Sequence, residues 1–143
     1  MDFALTDDHL ALRDAVQRFC DGEYPAHERG NPEPAALARR RDAGLAELGL
    51  LGLTLPAVHG GSEQGPVEGM LAAQELGRAL AGAGFLPNAV IAGPLLAELA
   101  TPAQQARWLP AVADGTLGVA LACHEAAARH DLHRVATRAE RLG

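Results

Sequence analysis

Apolar positions recur at helical spacing along most of the chain. Leu5-Thr6-Asp7-Asp8 opens the pattern. A threonine hydroxyl precedes two carboxylates, which suit the positive end of a helix. Leu5 before the cap and Leu10 in the first turn fit a hydrophobic staple. Leu12, Ala15, Val16, Phe19 and Cys20 then mark one buried stripe, which Gly22 and Pro25 end. A second helix is expected from Asn31-Pro32, with Leu37, Ala38, Leu45 and Leu48 on its apolar side and Gly49 as its stop. Leu50 to Pro56 reads as an apolar extended connector, and Val58-His59-Gly60-Gly61 as a turn. The pattern resumes in a third helix from Pro66 to Leu80, with Val67, Met70, Leu71, Gln74 and Leu76 near one side. A fourth, Pro87 to Leu99, carries Pro94, which predicts a kink or a split. A fifth opens at Thr101-Pro102-Ala103-Gln104, a capping box with proline at the first helical position. Ala106, Leu109, Val112 and Ala113 face its inner side, Trp108 anchors an edge, and Asp114-Gly115 closes it.

The period changes only at the end. Gly118-Val119-Ala120-Leu121-Ala122-Cys123 is a short apolar run after a glycine and predicts a strand, and Val135 to Arg138 has room to begin another. A lone strand after a helical bundle exposes an unpaired edge. Either it pairs with elements outside this chain, or it docks on the bundle as an irregular segment.

Composition narrows the class. The chain has 143 residues, enough for one domain with a real core, and 48% of them are hydrophobic. Aromatics are only 3%, so alanine, leucine and valine must fill that core. The net charge is −6, which argues against general nucleic-acid binding. Arg39, Arg40 and Arg41 form the nearest thing to a basic cluster and read as a solvated helix face. Cys20 and Cys123 lack any zinc or disulfide spacing and read as reduced thiols in a cytoplasmic protein. No signal peptide is expected at the acidic start, and no apolar run approaches the ~18 residues of a membrane span.

The histidine-rich stretch ALACHEAAARHDLHRVATRAE holds the candidate chemistry. His124-Glu125 begins like an HExxH zinc motif, but Ala128 stands where the second histidine belongs. His124, His130 and His133 converge only if the intervening loop folds them together, so polar loop histidines are the better reading. Cys123 and His124 are neighbours on an expected strand and point to opposite faces, against a Cys–His nucleophile. His59 reads as a turn residue. No metal ligands and no catalytic residue are assigned.

Four stretches in order, DFALTDDHLALRDAVQRFC, LAELGLLGLTLPAVHGG, AAQELGRALA and TPAQQARWLPAVADGTLGVALA, resemble the N-terminal part of acyl-CoA dehydrogenases over nearly the whole chain. The resemblance implies a mainly α fold: a helical domain over residues 1–116, and an incomplete start of the middle β domain over residues 117–143. It implies a flavoprotein that uses FAD to remove two hydrogens from an acyl-CoA in lipid metabolism, with an electron-transfer partner and a homo- or hetero-oligomeric assembly. The catalytic glutamate and most of the FAD site then lie in later domains, and Glu125 is not that base.

Within the resemblance, the first β-domain strand runs into a Thr-Glu-Pro-Gly-Ala-Gly-Ser-Asp turn that touches the flavin and the pantetheine end of the substrate. Residues 124–131 here read His124-Glu125-Ala126-Ala127-Ala128-Arg129-His130-Asp131. Glu125, Ala128 and Asp131 match that turn. His124 replaces Thr, Ala126 replaces Pro, Ala127 and Arg129 replace Gly, and His130 replaces Ser. The resemblance therefore implies flavin contacts at Leu121, Cys123 and His124 and a substrate contact at His130. Three roles remain open: part of a dehydrogenase that is inactive alone, a flavin-poor partner subunit of a hetero-oligomeric enzyme, or a stand-alone helical scaffold.

Overall fold

The computed structural model describes residues 4–28, 31–82, 84–129 and 131–140. Helix α1 spans Asp7–Glu23. Its capping box is reciprocal: the Thr6 hydroxyl accepts from the His9 amide and His9 Nδ1 accepts from the Thr6 amide, each at 3.2 Å. His9 Nε2 also lies 3.0 Å from Glu68 Oε1, tying the start of α1 to α3 (Pro66–Arg78). Val16 and Cys20 are buried where α1 packs on α3.

Helix α2 spans Ala35–Glu47 and begins later than the Asn31-Pro32 expectation. Pro34 is the reason. It sits in extended backbone at the cap (φ −61°, ψ 139°) and disfavours helical backbone in the residue before it. Asn31 donates its side-chain amide to the His27 carbonyl at 3.1 Å instead of capping the helix. The arginine run is also corrected. Arg39 and Arg40 are exposed, but Arg41 is only 6% exposed.

The connector after α2 is a knot of turns rather than an extended stretch. Leu50, Leu51, Leu53 and Leu55 are all buried, and successive turns close through Leu53 N to Leu50 O and Leu55 N to Gly52 O. A single 3₁₀ turn, Ala57–His59, follows. The chain then folds back, with the Ser62, Glu63 and Gln64 amides donating to the carbonyls of Gly52, Leu55 and Leu53. Gly61 sits in the crease: a Cβ there would lie 2.0 Å from the Leu55 carbonyl oxygen. Four leucines buried by a tight reversal carry no helical or strand period, which is why the pattern misreads them.

Helix α3 buries Leu71, Ala72, Glu75 and Leu76. Met70 is 56% exposed and Val67 and Gln74 are also exposed, so the apolar side is rotated from the expected one. Glu75 keeps its place in the core by accepting from Arg78 Nε at 2.9 Å.

The expected split at Pro94 is present, as a change of helix type. Leu86–Ala92 is a π-helical segment that runs directly into α4, Gly93–Leu99. The Gly93 amide reaches five residues back to the Asn88 carbonyl. In that register Pro94, having no amide, leaves the Ala89 carbonyl without its helical donor. The Thr54 hydroxyl donates to it at 2.7 Å. Gly93 is needed at the junction, since a Cβ would meet the Asn88 carbonyl at 2.5 Å.

Helix α5 spans Pro102–Ala113 with the expected Thr101–Gln104 capping box and buries Leu109, Val112 and Ala113, while Ala106 is exposed. Two apolar clusters result. One joins α1, α2 and α3 to the turn knot and Phe85, and the other joins Leu55 to α5, with Leu96, Leu117 and Val119 packed against it. Among the described residues no strand forms. Residues 118–123 and 135–138, expected as strands, are irregular chain; the first run is seated on the bundle through Val119, and the second is exposed and bonds Glu125. A strand needs a neighbour's backbone to pair with, and among the described residues none pairs with these runs as a strand.

Candidate functional site: a groove and the segment that edges it

The site residues named from sequence lie in the segment leaving α5. Asp114 holds its start: its carboxylate accepts from the Thr116 hydroxyl at 2.6 Å and the Thr116 amide at 2.9 Å, and these bonds keep its pKa below the ordinary value. The Leu117 amide donates to the Ala111 carbonyl, which turns the chain back along α5. Two residues on, the Val119 amide donates to Asn88 Oδ1 at 2.6 Å. Asn88 Nδ2 in turn donates to the Gly84 carbonyl at 2.8 Å.

Seated this way, Val119, Ala120 and Leu121 form one wall of an open apolar groove of about 440 Å³. Leu95, Leu96 and Leu99 of α4 and Trp108 of α5 supply the others. The groove has the size and lining of a small apolar ligand site.

Leu121 is 50% exposed, and Cys123 and His124 are exposed beyond it. Together they present a solvent-facing edge rather than an enclosed centre. The chain then turns. Glu125 closes a loop by accepting from the Ala136 amide (2.8 Å), the Thr137 amide (2.9 Å) and the Thr137 hydroxyl (2.7 Å). These bonds, the hydroxyl's foremost, hold its carboxyl below the ordinary value. Ala128 is buried inside the loop. Arg129 has φ +49°, the left-handed region that glycine enters freely and other residues enter at a cost.

His130 lies outside the described residues. His133 is exposed, its amide held by Asp131 Oδ1 at 3.0 Å. Among the described residues no group of three or more His, Cys, Asp or Glu side chains is placed to hold a metal ion. His59 is half-buried and ends the 3₁₀ turn.

Asn88 and Thr54 were not singled out from sequence. Asn88 had a signal: it is the one polar side chain in the run FLPNAVIAG. Thr54 had none, because its role depends on which carbonyl Pro94 leaves without a donor.

Residues 6–116 match a family model described as "Acyl-CoA dehydrogenase, N-terminal domain". The chain belongs to the acyl-CoA dehydrogenase family. It is 38% identical over 104 residues to acyl-CoA dehydrogenase FadE12 of Mycobacterium tuberculosis (strain ATCC 25618 / H37Rv), covering 71% of this chain and 26% of that protein. It is 31% identical over 134 residues to (2S)-methylsuccinyl-CoA dehydrogenase of Cereibacter sphaeroides, covering 92% of this chain and 24% of that one. The chain thus spans about a quarter of the length of these two dehydrogenases.

The ChsE4–ChsE5 complex of Mycobacterium tuberculosis contains a chain with the same fold, at TM-score 0.83 and 24% identity, covering 100% of this chain and 37% of that one. As an acyl-CoA dehydrogenase N-terminal domain, the body places its apolar groove and its C-terminal edge side by side. No described helix is long and apolar enough to cross a membrane.

Proposed function

We propose that this chain is the N-terminal part of a flavin-dependent acyl-CoA dehydrogenase, inactive alone, that supplies one wall of a site completed by further domains. The observation that carries this reading is the family match across residues 6–116. In this reading the helical domain covers residues 1–116, and residues 117–143 open the β domain, whose sheet would pair the stretch at 118–123.

The residues present fit one edge of a flavin site. Leu121, Cys123 and His124 are exposed, and Arg129 adopts the left-handed backbone expected where the family turn has glycine. The Leu121 and Cys123 amides and the His124 side chain would hold the ring edge, and His130 would meet the substrate. FAD, when bound, supplies the acceptor for hydride from the acyl-CoA. An electron-transfer partner and a homo- or hetero-oligomer belong to the same reading.

A second reading, a flavin-poor partner subunit, is favoured by the side chains at 124 and 129. Histidine and arginine carry bulk where the family turn has threonine and glycine. The test is flavin absorbance and acyl-CoA oxidation, measured on the chain alone and co-produced with the remaining domains of its parent or neighbouring gene product. Flavin and activity only in the co-produced sample support the first reading. An active complex whose flavin resides wholly on the other chain supports the second. A colourless, inactive pair defeats both.

A further inference from the structure

We propose that Asn88 is a positioning residue: its side-chain amide is the latch that seats residues 119–121 as the outer wall of the apolar groove. The latch has two ends. Nδ2 donates to the Gly84 carbonyl within its own element, which fixes the plane of the amide, and Oδ1 then faces the Val119 amide at 2.6 Å. Both bonds are partly buried, where an unpaired donor is costly. Elsewhere the segment is held at its root, by Asp114 and by Leu117 N to Ala111 O, and by apolar contact of Leu117 and Val119 with the α5 cluster.

The π segment is what brings Asn88 to this place. One residue is added to the turn between Asn88 and Gly93, and the Asn88 carbonyl is taken by the Gly93 amide while its side chain points to the segment. The neutral amide also suits its neighbour. A Cβ built on Gly84 would lie 2.9 Å from Asp42 Oδ1 and 3.4 Å from Asn88 Nδ2, so the Asp42 carboxylate and the Asn88 amide crowd the same glycine. Burial, foremost, and then the Glu33 charge raise the pKa of Asp42, and a second carboxylate at position 88 would add to that strain.

The consequence is functional geometry. Release of Val119 would open the groove wall and shift the Leu121–His124 edge together, because the wall residues and the edge are consecutive. The bearing of the latch on flavin rests on the acyl-CoA dehydrogenase reading, whereas the seating of the segment does not.

Trp108 reports the state of the latch, since it lines the same groove as residues 119–121 and is the chain's only tryptophan. The experiment uses the full chain and the variants Asn88→Ala, Val119→Pro (which removes the donor from the other end) and the double variant. Three quantities are read: acrylamide quenching of Trp108 in every variant, exchange of the Val119 amide where position 119 is valine, and far-UV circular dichroism. Asn88→Ala is expected to speed exchange of the Val119 amide, the donor of the lost bond, by roughly fivefold, the weight of one hydrogen bond. It also makes Trp108 more quenchable with helix content unchanged.

In the Val119→Pro background the same substitution adds nothing further. Equal increments in both backgrounds, or no change in Trp108 and exchange, overturn the proposal. If Asn88→Ala does not fold, Val119→Pro alone must expose Trp108, and an unaltered Trp108 there overturns the latch. Failure of flavin uptake with the partner domains defeats the functional reading while leaving the Trp108 coupling intact, so the two failures are distinguishable.

Discussion

Residues 4–116 and residues 117–140 are built on opposite terms. The first region closes its own core. Val16, Cys20, Leu45, Leu55, Leu109 and Val112 are fully buried within it, the caps of α1 and α5 and the Ala89 carbonyl of the π segment are satisfied by side chains of the same region, and the turn knot closes through its own backbone. Among its described residues the second contributes a single buried one, Ala128, and is otherwise exposed or half-exposed. The same chain thus contains a body whose stability is internal and a segment whose order is borrowed from Asn88, Asp114 and the Glu125 loop. Local stability should follow that division, with protection highest in the body and lowest beyond Leu121.

Two glycines give the largest contrast. A Cβ at Gly61 would lie 2.0 Å from the Leu55 carbonyl oxygen and 2.3 Å from its carbon, both backbone atoms that cannot swing aside. A Cβ at Gly118 would meet nothing within 4 Å. Gly61→Ala is expected to destabilise by about 3 kcal/mol or more. Gly118→Ala is expected to stay within about 0.5 kcal/mol. Urea unfolding of both variants checks the pair, and comparable midpoints would mean that the turn knot is looser than its packing implies.

The division also explains what could be read from sequence. The capping boxes at Thr6 and Thr101, the break at Pro94 and the stripe through Val16 and Cys20 are local signals, set by residues within a turn or two of one another. The start of α2 is not legible because Asn31 is a good cap in isolation, and Pro34, three residues on, overrides it. The 50–56 stretch reads as extended in the sequence because burial of all its leucines comes from a tertiary reversal, which leaves no period. Residues 118–123 carry a strand's composition, but a strand is a relation between two segments. In the candidate site, the exposed residues at 121, 123 and 124 came from family resemblance, whereas Asn88 needed three-dimensional contact with Val119 to be seen.

Arg41 sharpens the contrast from the charged side, with an intermediate effect. Its guanidinium donates to Glu33 at 2.5 Å, to Glu28 at 2.9 Å and to the Glu23 carbonyl, and lies 4.1 Å from the centroid of the Tyr24 ring. Burial opposes its charge, but the bonds to Glu33 and Glu28 outweigh it and keep its pKa above the ordinary value. One side chain therefore joins the end of α1, the 24–33 connection and α2. Arg41→Ala removes the partner of two half-exposed carboxylates and uncovers Tyr24, with an expected loss of about 2 kcal/mol. Arg41→Lys recovers little, because an ammonium cannot replace the flat fork that both stacks on the ring and divides its donors. Arg134, exposed in the C-terminal loop, is the matched control: Arg134→Ala should leave the unfolding midpoint unchanged.

The smallest effect is a local one, set by pH. Glu125 closes residues 125–137 through three donors, and its folded pKa is below its ordinary value of 4.5. A carboxyl lowered by folding contributes closure that is fully present above the ordinary value and is lost as pH falls through the folded one. The loop should therefore keep its Ala136 and Thr137 amides protected from neutrality down to about pH 5 and release them only in more acidic solution. Far-UV circular dichroism of the helical body should be unchanged at the point of release, because no residue of the body depends on Glu125. Glu125→Gln retains one acceptor oxygen but turns an amide group toward the other donors, so protection should be weaker at neutral pH and no longer respond to acid. Release of both amides near pH 6, or retention in the glutamine variant with the wild-type pH profile, would show that the loop is closed by something other than this carboxylate.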